Sequence, residues 1–389
     1  MDYQSLFNQS IASVKPSGIR KFFDIASEMD DVISLSVGEP DFKTPWHIRE
    51  EGIDTLHKGK TRYSPNAGFT KLLIEIAAYY ERRYNCSYDA KHEVLVTVGG
   101  SEAIDLCMRT LLSPGDEVLI PEPCFVCYQP LAVMAGGVGV PIVTKAEDGF
   151  RLTAEQLRNA ITPRTKLLIL PFPNNPTGAV MRREHLEEIA EVLRGTNIVV
   201  LSDEIYSELT YGETQHVSIA ELDGMRERTV VVNGFSKSYS MTGWRLGFAL
   251  GPAPIIQMMT KLHQYAVMCA PSTAQYAAIE ALRNGDEDIA KMRGEYDMRR
   301  RYIVDGFREL GFECHKPEGA FYIFPSIKHT GMTSDEFCEK LLLSKHVAIV
   351  PGSAFGESGE GYARVSYSYS VKHIGEALRR IKEFIDEEL

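Results

Sequence analysis

Between Lys91 and Gly251 the sequence alternates short, nearly unbroken apolar runs with stretches of helical periodicity. This alternation limits the fold more than any other feature. The runs are EVLVTVGG (Glu93–Gly100), EVLIPEP (Glu117–Pro123), GVPIVT (Gly139–Thr144), KLLILPFP (Lys166–Pro173), NIVVLSDE (Asn197–Glu204), TVVVNGF (Thr229–Phe235) and RLGFALG (Arg245–Gly251). Between several of them lie helical patterns such as SEAIDLCMRTLL (Ser101–Leu112) and REHLEEIAEVLR (Arg183–Arg194). Strands that are apolar on both faces need helices on both faces. The expectation is an α/β fold with a mostly parallel, seven-stranded sheet.

After Leu282 the texture changes. A long charged helix (Glu287–Leu310) leads into GAFYIFPS (Gly319–Ser326), a helix from Ser334, VAIVPGSAFG (Val347–Gly356), YARVSYS (Tyr362–Ser368) and a closing helix. That reads as a smaller α+β domain. DVISLSVGEPDFKTP (Asp31–Pro45) reads as a segment crossing to it. The expected division is residues 1–45 as an arm and part of the small domain, 46–285 as the large domain, and 286–389 as the small domain.

The formal net charge of -11 and the lack of a basic run argue against a nucleic-acid partner. MRRRY (Met298–Tyr302), the most basic point, sits among acids in a helical pattern. No segment has the roughly 20 consecutive apolar residues of a membrane span, and the first residues do not read as a secretory signal. Seven scattered cysteines suggest reduced thiols in a cytoplasm. CFVC (Cys124–Cys127) has redox or zinc spacing, but no second pair completes a zinc site.

Ligands of open parallel sheets bind beyond the carboxyl ends of the strands, so the residues there matter most. Ser101 and Glu102 open a helix after a Gly-Gly pair. They mark either a phosphate site or an ordinary serine cap. Phe125, with Tyr128 one turn on, is either rim packing or a plate for a planar ring. NNPTG (Asn174–Gly178) is either a turn or a rigidly held amide. Asp203 ends an apolar strand and needs a partner or solvent, with Tyr206 three residues on. Lys237 and Arg245 follow the strand Thr229–Phe235. An anion site, an aromatic plate, an amide, a carboxylate, a phenol, an amine and a guanidinium together suit pyridoxal 5'-phosphate (PLP).

SKSYSMTGWRLG, NNPTG, SDEIY and YSPNAG, in that combination and spacing over essentially the whole chain, resemble the class I/II aminotransferases of the aspartate-aminotransferase fold. The aromatic aminotransferase-like group of bacteria and archaea is nearest. The resemblance implies a PLP-dependent enzyme that moves an amino group from an L-amino acid to a 2-oxo acid such as 2-oxoglutarate. It makes Lys237 the Schiff-base lysine and proton carrier, and Asp203 the partner of the ring nitrogen. Asn175 and Tyr206 become donors to the ring oxygen, and Phe125 the stacking ring. Ser101, Glu102, Ser236 and Arg245 lie where the family holds the phosphate. Tyr63 matches a phosphate-binding tyrosine lent by the other subunit of a homodimer. Arg364 matches the clamp on the substrate's α-carboxylate, with Gly38 and Asn175 beside it.

Two departures bear on substrate. Some aspartate-specific relatives carry a lysine where Ser101 stands, and others use an arginine within the stretch matching Lys261–Gln275, which has none here. Aromatic, alanine-like or longer donors are therefore expected, with Arg20 a candidate for reaching a distal carboxylate. Competing readings are a PLP-dependent β-lyase on sulfur amino acids and the ligand-sensing domain of a regulator. A dinucleotide dehydrogenase lacks its G-x-G-x-x-G at the first strand end.

Overall fold

The computed structural model describes residues 1–16, 18 and 29–388; Arg20 lies outside them. The strands are β1 (Ile33–Ser34), β2 (Val94–Thr97), β3 (Glu117–Glu122), β4 (Val138–Val143), β5 (Thr165–Leu170), β6 (Val199–Asp203), β7 (Thr229–Gly234), β8 (Gly247–Leu250), β9 (Tyr322–Ile323), β10 (Val347–Ala348), β11 (Val350–Pro351) and β12 (Ala363–Ser366). Seven of them form one sheet in the order β2-β8-β7-β6-β5-β3-β4. Only β8 runs against its neighbours β2 and β7. The seven apolar runs are these seven strands.

Side-chain alternation explains why the runs are apolar throughout. Leu95, Leu201, Val230 and Val232 point to one face, where they pack with Ile104 and Met108 of the helix Gly100–Leu111 and with Met259. Their chain neighbours Val94, Val96 and Val231 point to the other face, against Leu72, Ile76 and Ala277. Leu186, Ile189, Ala190 and Leu193, spaced for one face of the helix Arg183–Leu193, cover Leu168, Leu170 and Val200. Both faces of the sheet are therefore dry.

A second core lies beside the sheet. Met292, Tyr296, Ile303, Val304 and Phe307 of the 24-residue helix Asp286–Glu309 pack with β9, β10, β12 and the helices Ser334–Lys345 and Val371–Glu388. Thr333 and Glu336 start the first of those two helices with a reciprocal cap. Ile33 and Leu35 belong to this core because β1 pairs in parallel with β10. Tyr206, Leu209 and Tyr211, just after β6, also enter it. The chain beyond β6 thus ties the sheet's carboxyl end to the smaller body. The basic MRRRY stretch is part of this tie. Arg299 is buried against Asp41 at 2.7 Å, and Arg300 is buried against Asp297 with a further bond to the Pro317 carbonyl.

Where β8 begins, its backbone closely approaches the turn that leads from β2 into the helix Gly100–Leu111. A Cβ on Gly247 would stand 2.6 Å from both the Gly100 nitrogen and the Gly99 carbonyl carbon. Backbone atoms cannot yield as a side chain can, so Gly247→Ala is expected to cost about 1–3 kcal/mol. Urea unfolding reads this directly, and an unchanged midpoint would show that the contact is not tight.

Candidate active site

The carboxyl ends of β3, β5, β6 and β7 open into a cavity of about 420 Å³. Phe125 reaches it from the loop after β3, Asn175 from the loop after β5, and Asp203 from the end of β6 with Tyr206 beyond. Ser236 and Lys237 enter after β7, Arg245 just before β8, and Ser101 from the first turn of Gly100–Leu111. Gly38 and Arg364 close it from the smaller body's side. Two of the twelve residues singled out in the sequence lie elsewhere. Glu102 turns its carboxylate back onto the Val98 N–H and onto His263 Nδ1, 2.8 Å away. Tyr63 is 80% exposed on the outer surface.

At the floor, Asp203 is buried. Its carboxylate accepts the Tyr128 hydroxyl proton at 2.7 Å and the Ile205 N–H at 3.2 Å. Burial pushes its pKa up to about 6, against the Tyr128 hydrogen bond. Lys237 donates from Nζ to the Gly38 carbonyl. Burial pushes the lysine down to about 8; Arg364 and Arg245 add to the fall, while Glu39 opposes it.

Arg364 is only 3% exposed. Nη1 donates to Asn175 Oδ1 at 3.0 Å and Nη2 to the Ser36 carbonyl at 2.6 Å, while Nε has no partner among the described residues. The guanidinium lies over the Tyr322 ring, 4.5 Å from its centroid. The Tyr322 hydroxyl stands 2.8 Å from that of Tyr206. Gly38 leaves room for it, since a Cβ there would sit 2.6 Å from the Tyr322 oxygen.

The phosphate-sized end is built from backbone. No side chain caps the helix that begins at Gly100, so its first N–H groups remain for a ligand. Arg245 leans over Gly99, where a Cβ would come within 2.8 Å of its Nη2.

Two tyrosines of the cavity were given no role in the sequence. Tyr128 reaches Asp203 across 75 positions, a pairing no local pattern reveals. Tyr322 sat in an apolar strand reading; a tyrosine in a dry strand needs a partner for its hydroxyl, and that was the available signal.

A sheet cavity holding a half-buried amine, a buried carboxylate and a buried guanidinium suits amino-acid chemistry rather than a dinucleotide. Residues 30–381 match the family described as aminotransferase class I and II, and the chain belongs to it: it is an enzyme that transfers amino groups. It is similar to YugH of Bacillus subtilis (strain 168), whose name assigns it only to the aminotransferases, with 51% identity over 98% of both chains. An aspartate aminotransferase of Pyrococcus abyssi (strain GE5 / Orsay) is 46% identical over 96% of this chain and 97% of its own. The crystal structure of an aromatic aminotransferase from Pyrococcus horikoshii OT3 superposes with a TM-score of 0.90 at 44% identity, covering 94% of this chain and 99% of that one.

Lys237→Met tests the electrostatics in the cofactor-free protein. The folded lysine carries its buried charge below pH 8, whereas the unfolded one titrates near 10.5. The penalty, on the order of 3 kcal/mol, is complete below pH 8 and relieved as pH rises toward 10.5. The variant's gain in unfolding free energy should therefore be largest at pH 7 and shrink by pH 10. A gain independent of pH would contradict the burial of the charge.

Proposed function

We propose that the chain, as a homodimer, holds PLP in this cavity and moves an amino group from an L-amino acid to a 2-oxo acid such as 2-oxoglutarate by a ping-pong cycle. One observation carries the reading. Lys237, Asp203 and Arg364 face a single cavity, and among the described residues none has an oppositely charged partner within 4.0 Å. Charges drawn out of water and held only by neutral groups call for charged groups on a ligand.

The residues fit the cofactor. Lys237 Nζ would hold it covalently, and Asp203 would hold a proton on its ring nitrogen. Asn175 and Tyr206 would donate to its ring oxygen, with Phe125 against the ring. Ser101, Ser236, Arg245 and the first N–H groups of the helix Gly100–Leu111, that of Glu102 included, would take the phosphate. Bound PLP supplies an aldehyde and a ring that accepts an electron pair. Arg364, with Nε free, clamps the substrate α-carboxylate beside Asn175 and the Gly38 backbone. Lys237, brought down to about 8, carries a proton to and from the substrate's Cα near neutral pH. Closure of residues 1–45 and 286–389 onto the 46–285 domain would exclude water. The free cysteines fit a cytoplasmic enzyme.

Relatives named for aspartate and for aromatic substrates are about equally similar, so identity does not choose the donor. The cavity supports the aromatic or alanine-like choice. Among the described residues lining it the cations are Lys237, Arg245 and Arg364, each already given a role, while Ile104, Phe125 and Tyr128 line the wall. A panel of amino donors with 2-oxoglutarate, scored for glutamate, tests this. Aromatic donors should exceed aspartate, and Lys237→Ala should lose both transfer and the yellow absorbance. Release of ammonia and pyruvate without glutamate would favour the β-lyase instead.

Tyr63 supports the dimer. It is exposed, and Asn66 Nδ2 ties its segment to the carbonyl of Met268, itself exposed, at 2.9 Å. Mixing inactive Lys237→Ala with weakened Tyr63→Ala subunits should restore activity, because each hybrid dimer has one intact site. Mixtures that never exceed the sum of their parts would refute a Tyr63 lent across the interface.

A further inference from the structure

We propose that Tyr322 is a positioning residue that sets which way the Tyr206 hydroxyl proton points and makes that direction depend on whether a carboxylate occupies Arg364. The inference rests on the PLP reading above and adds to it a residue from the smaller body.

The geometry is a closed set. Both hydroxyls are buried and 2.8 Å apart, so one of them donates to the other. If Tyr206 donates, its oxygen can only accept from a ligand. If Tyr322 donates, the Tyr206 proton is free to enter the cavity. Arg364 biases the choice, since its guanidinium carbon lies 4.5 Å from the Tyr322 ring centroid and its charge favours electron withdrawal from that phenol. The more acidic hydroxyl is the better donor. Arg364 acts on both phenols, but at Tyr322 it is the largest influence opposing burial and at Tyr206 a lesser one, so Tyr322 is the more acidic of the two. Tyr322 therefore donates to Tyr206, and Tyr206 donates outward with the reinforcement that chained hydrogen bonds give one another.

The other charged groups around the pair are Glu39, Lys237 and Asp203. Glu39 lines the same cavity and opposes Arg364 at Tyr322. Lys237 Nζ is 5.9 Å from the Tyr206 ring centroid, and the Asp203 carboxylate acts on Tyr206 from beyond it. A carboxylate on Arg364 cancels much of the guanidinium's field. Tyr322 then loses its advantage as donor, and the Tyr206 proton is less firmly committed to the cavity. The substrate-carboxylate site and the phenol next to the cofactor are thereby coupled through one hydroxyl.

The test uses the cofactor-loaded enzyme and reads the pH midpoint of its visible absorbance, with and without 3-phenylpropionate, a carboxylate that has no amino group to transfer. Tyr322→Phe keeps the ring under Arg364 and removes only the hydroxyl. Its midpoint should rise by about half a pH unit or more, because Tyr206 has lost a supporting donor. The midpoint change caused by 3-phenylpropionate should fall to less than half of the wild-type change, while the carboxylate still binds. In a Tyr206→Phe background, adding Tyr322→Phe should move the midpoint no further, since the effect passes through Tyr206. An unchanged midpoint in Tyr322→Phe, or equal shifts with and without Tyr206, would overturn the proposal while leaving the PLP reading intact. A wild-type enzyme that takes up PLP with no visible band would overturn both.

Discussion

Three charges drawn largely out of water, with no counter-ion within 4.0 Å among the described residues, govern this molecule. Moving a charged side chain out of water costs several kcal/mol even after relaxation. Here an amine, a carboxylate and a guanidinium all bear that cost at one cavity. Each is held in place by neutral groups: Lys237 by the Gly38 carbonyl, Asp203 by the Tyr128 hydroxyl and the Ile205 N–H, and Arg364 by Asn175 and the Ser36 carbonyl. Neutral partners fix direction without cancelling charge. The burial that raises Asp203 and lowers Lys237 is also what makes them responsive to a charged ligand. A salt bridge at any of the three would make the resting protein more stable and the site less useful. The dry cores on both faces of the sheet supply the stability that offsets the cost.

The site is shared between the two bodies by construction. Asp203, Lys237 and Asn175 come from the sheet's carboxyl ends, whereas Arg364 and Tyr322 come from β12 and β9. Gly38 lies on the crossing segment, anchored where Arg299 holds Asp41 and where the Ser368 hydroxyl donates to the Glu39 carbonyl at 2.6 Å. A small displacement of the smaller body would therefore move Arg364 against Asn175 and Tyr322 against Tyr206 together.

Much of the architecture was legible because it follows from one-dimensional rules. Seven apolar runs became seven strands, since a strand buried on both faces admits no polar alternation. Ten of the twelve residues singled out line the cavity because sheet topology brings successive strand ends together, whatever their separation in sequence. Tyr63 was read as reaching a neighbouring subunit, and in the single chain it stands exposed, outside the cavity. Side-chain direction within a turn was not legible. Glu102 is drawn back by Val98 and His263, the latter 161 positions away. Nor was the fate of MRRRY, because burial of Arg299 and Arg300 depends on Asp41 and Pro317 arriving from elsewhere in the fold.

Adjacent carboxylates on β6 and just beyond it meet different surroundings on the two faces of the strand ends. Alternation sends Asp203 and Glu204 to opposite sides. Glu204, fully buried, accepts the hydroxyls of Ser202 at 2.9 Å, Ser218 at 2.6 Å and Tyr80 at 3.2 Å, with His216 at 3.1 Å. Asn233 on β7 continues that network by donating to Tyr80 and Ser207. Behind the sheet, these polar groups thus satisfy one another's hydrogen bonds. In front, Asp203 has two donors and an open cavity, and four residues beyond Asn233 Lys237 faces the same space. The two carboxylates are alike in chemistry and adjacent in sequence. What separates them is how completely the fold has answered each one's demand for hydrogen bonds and charge.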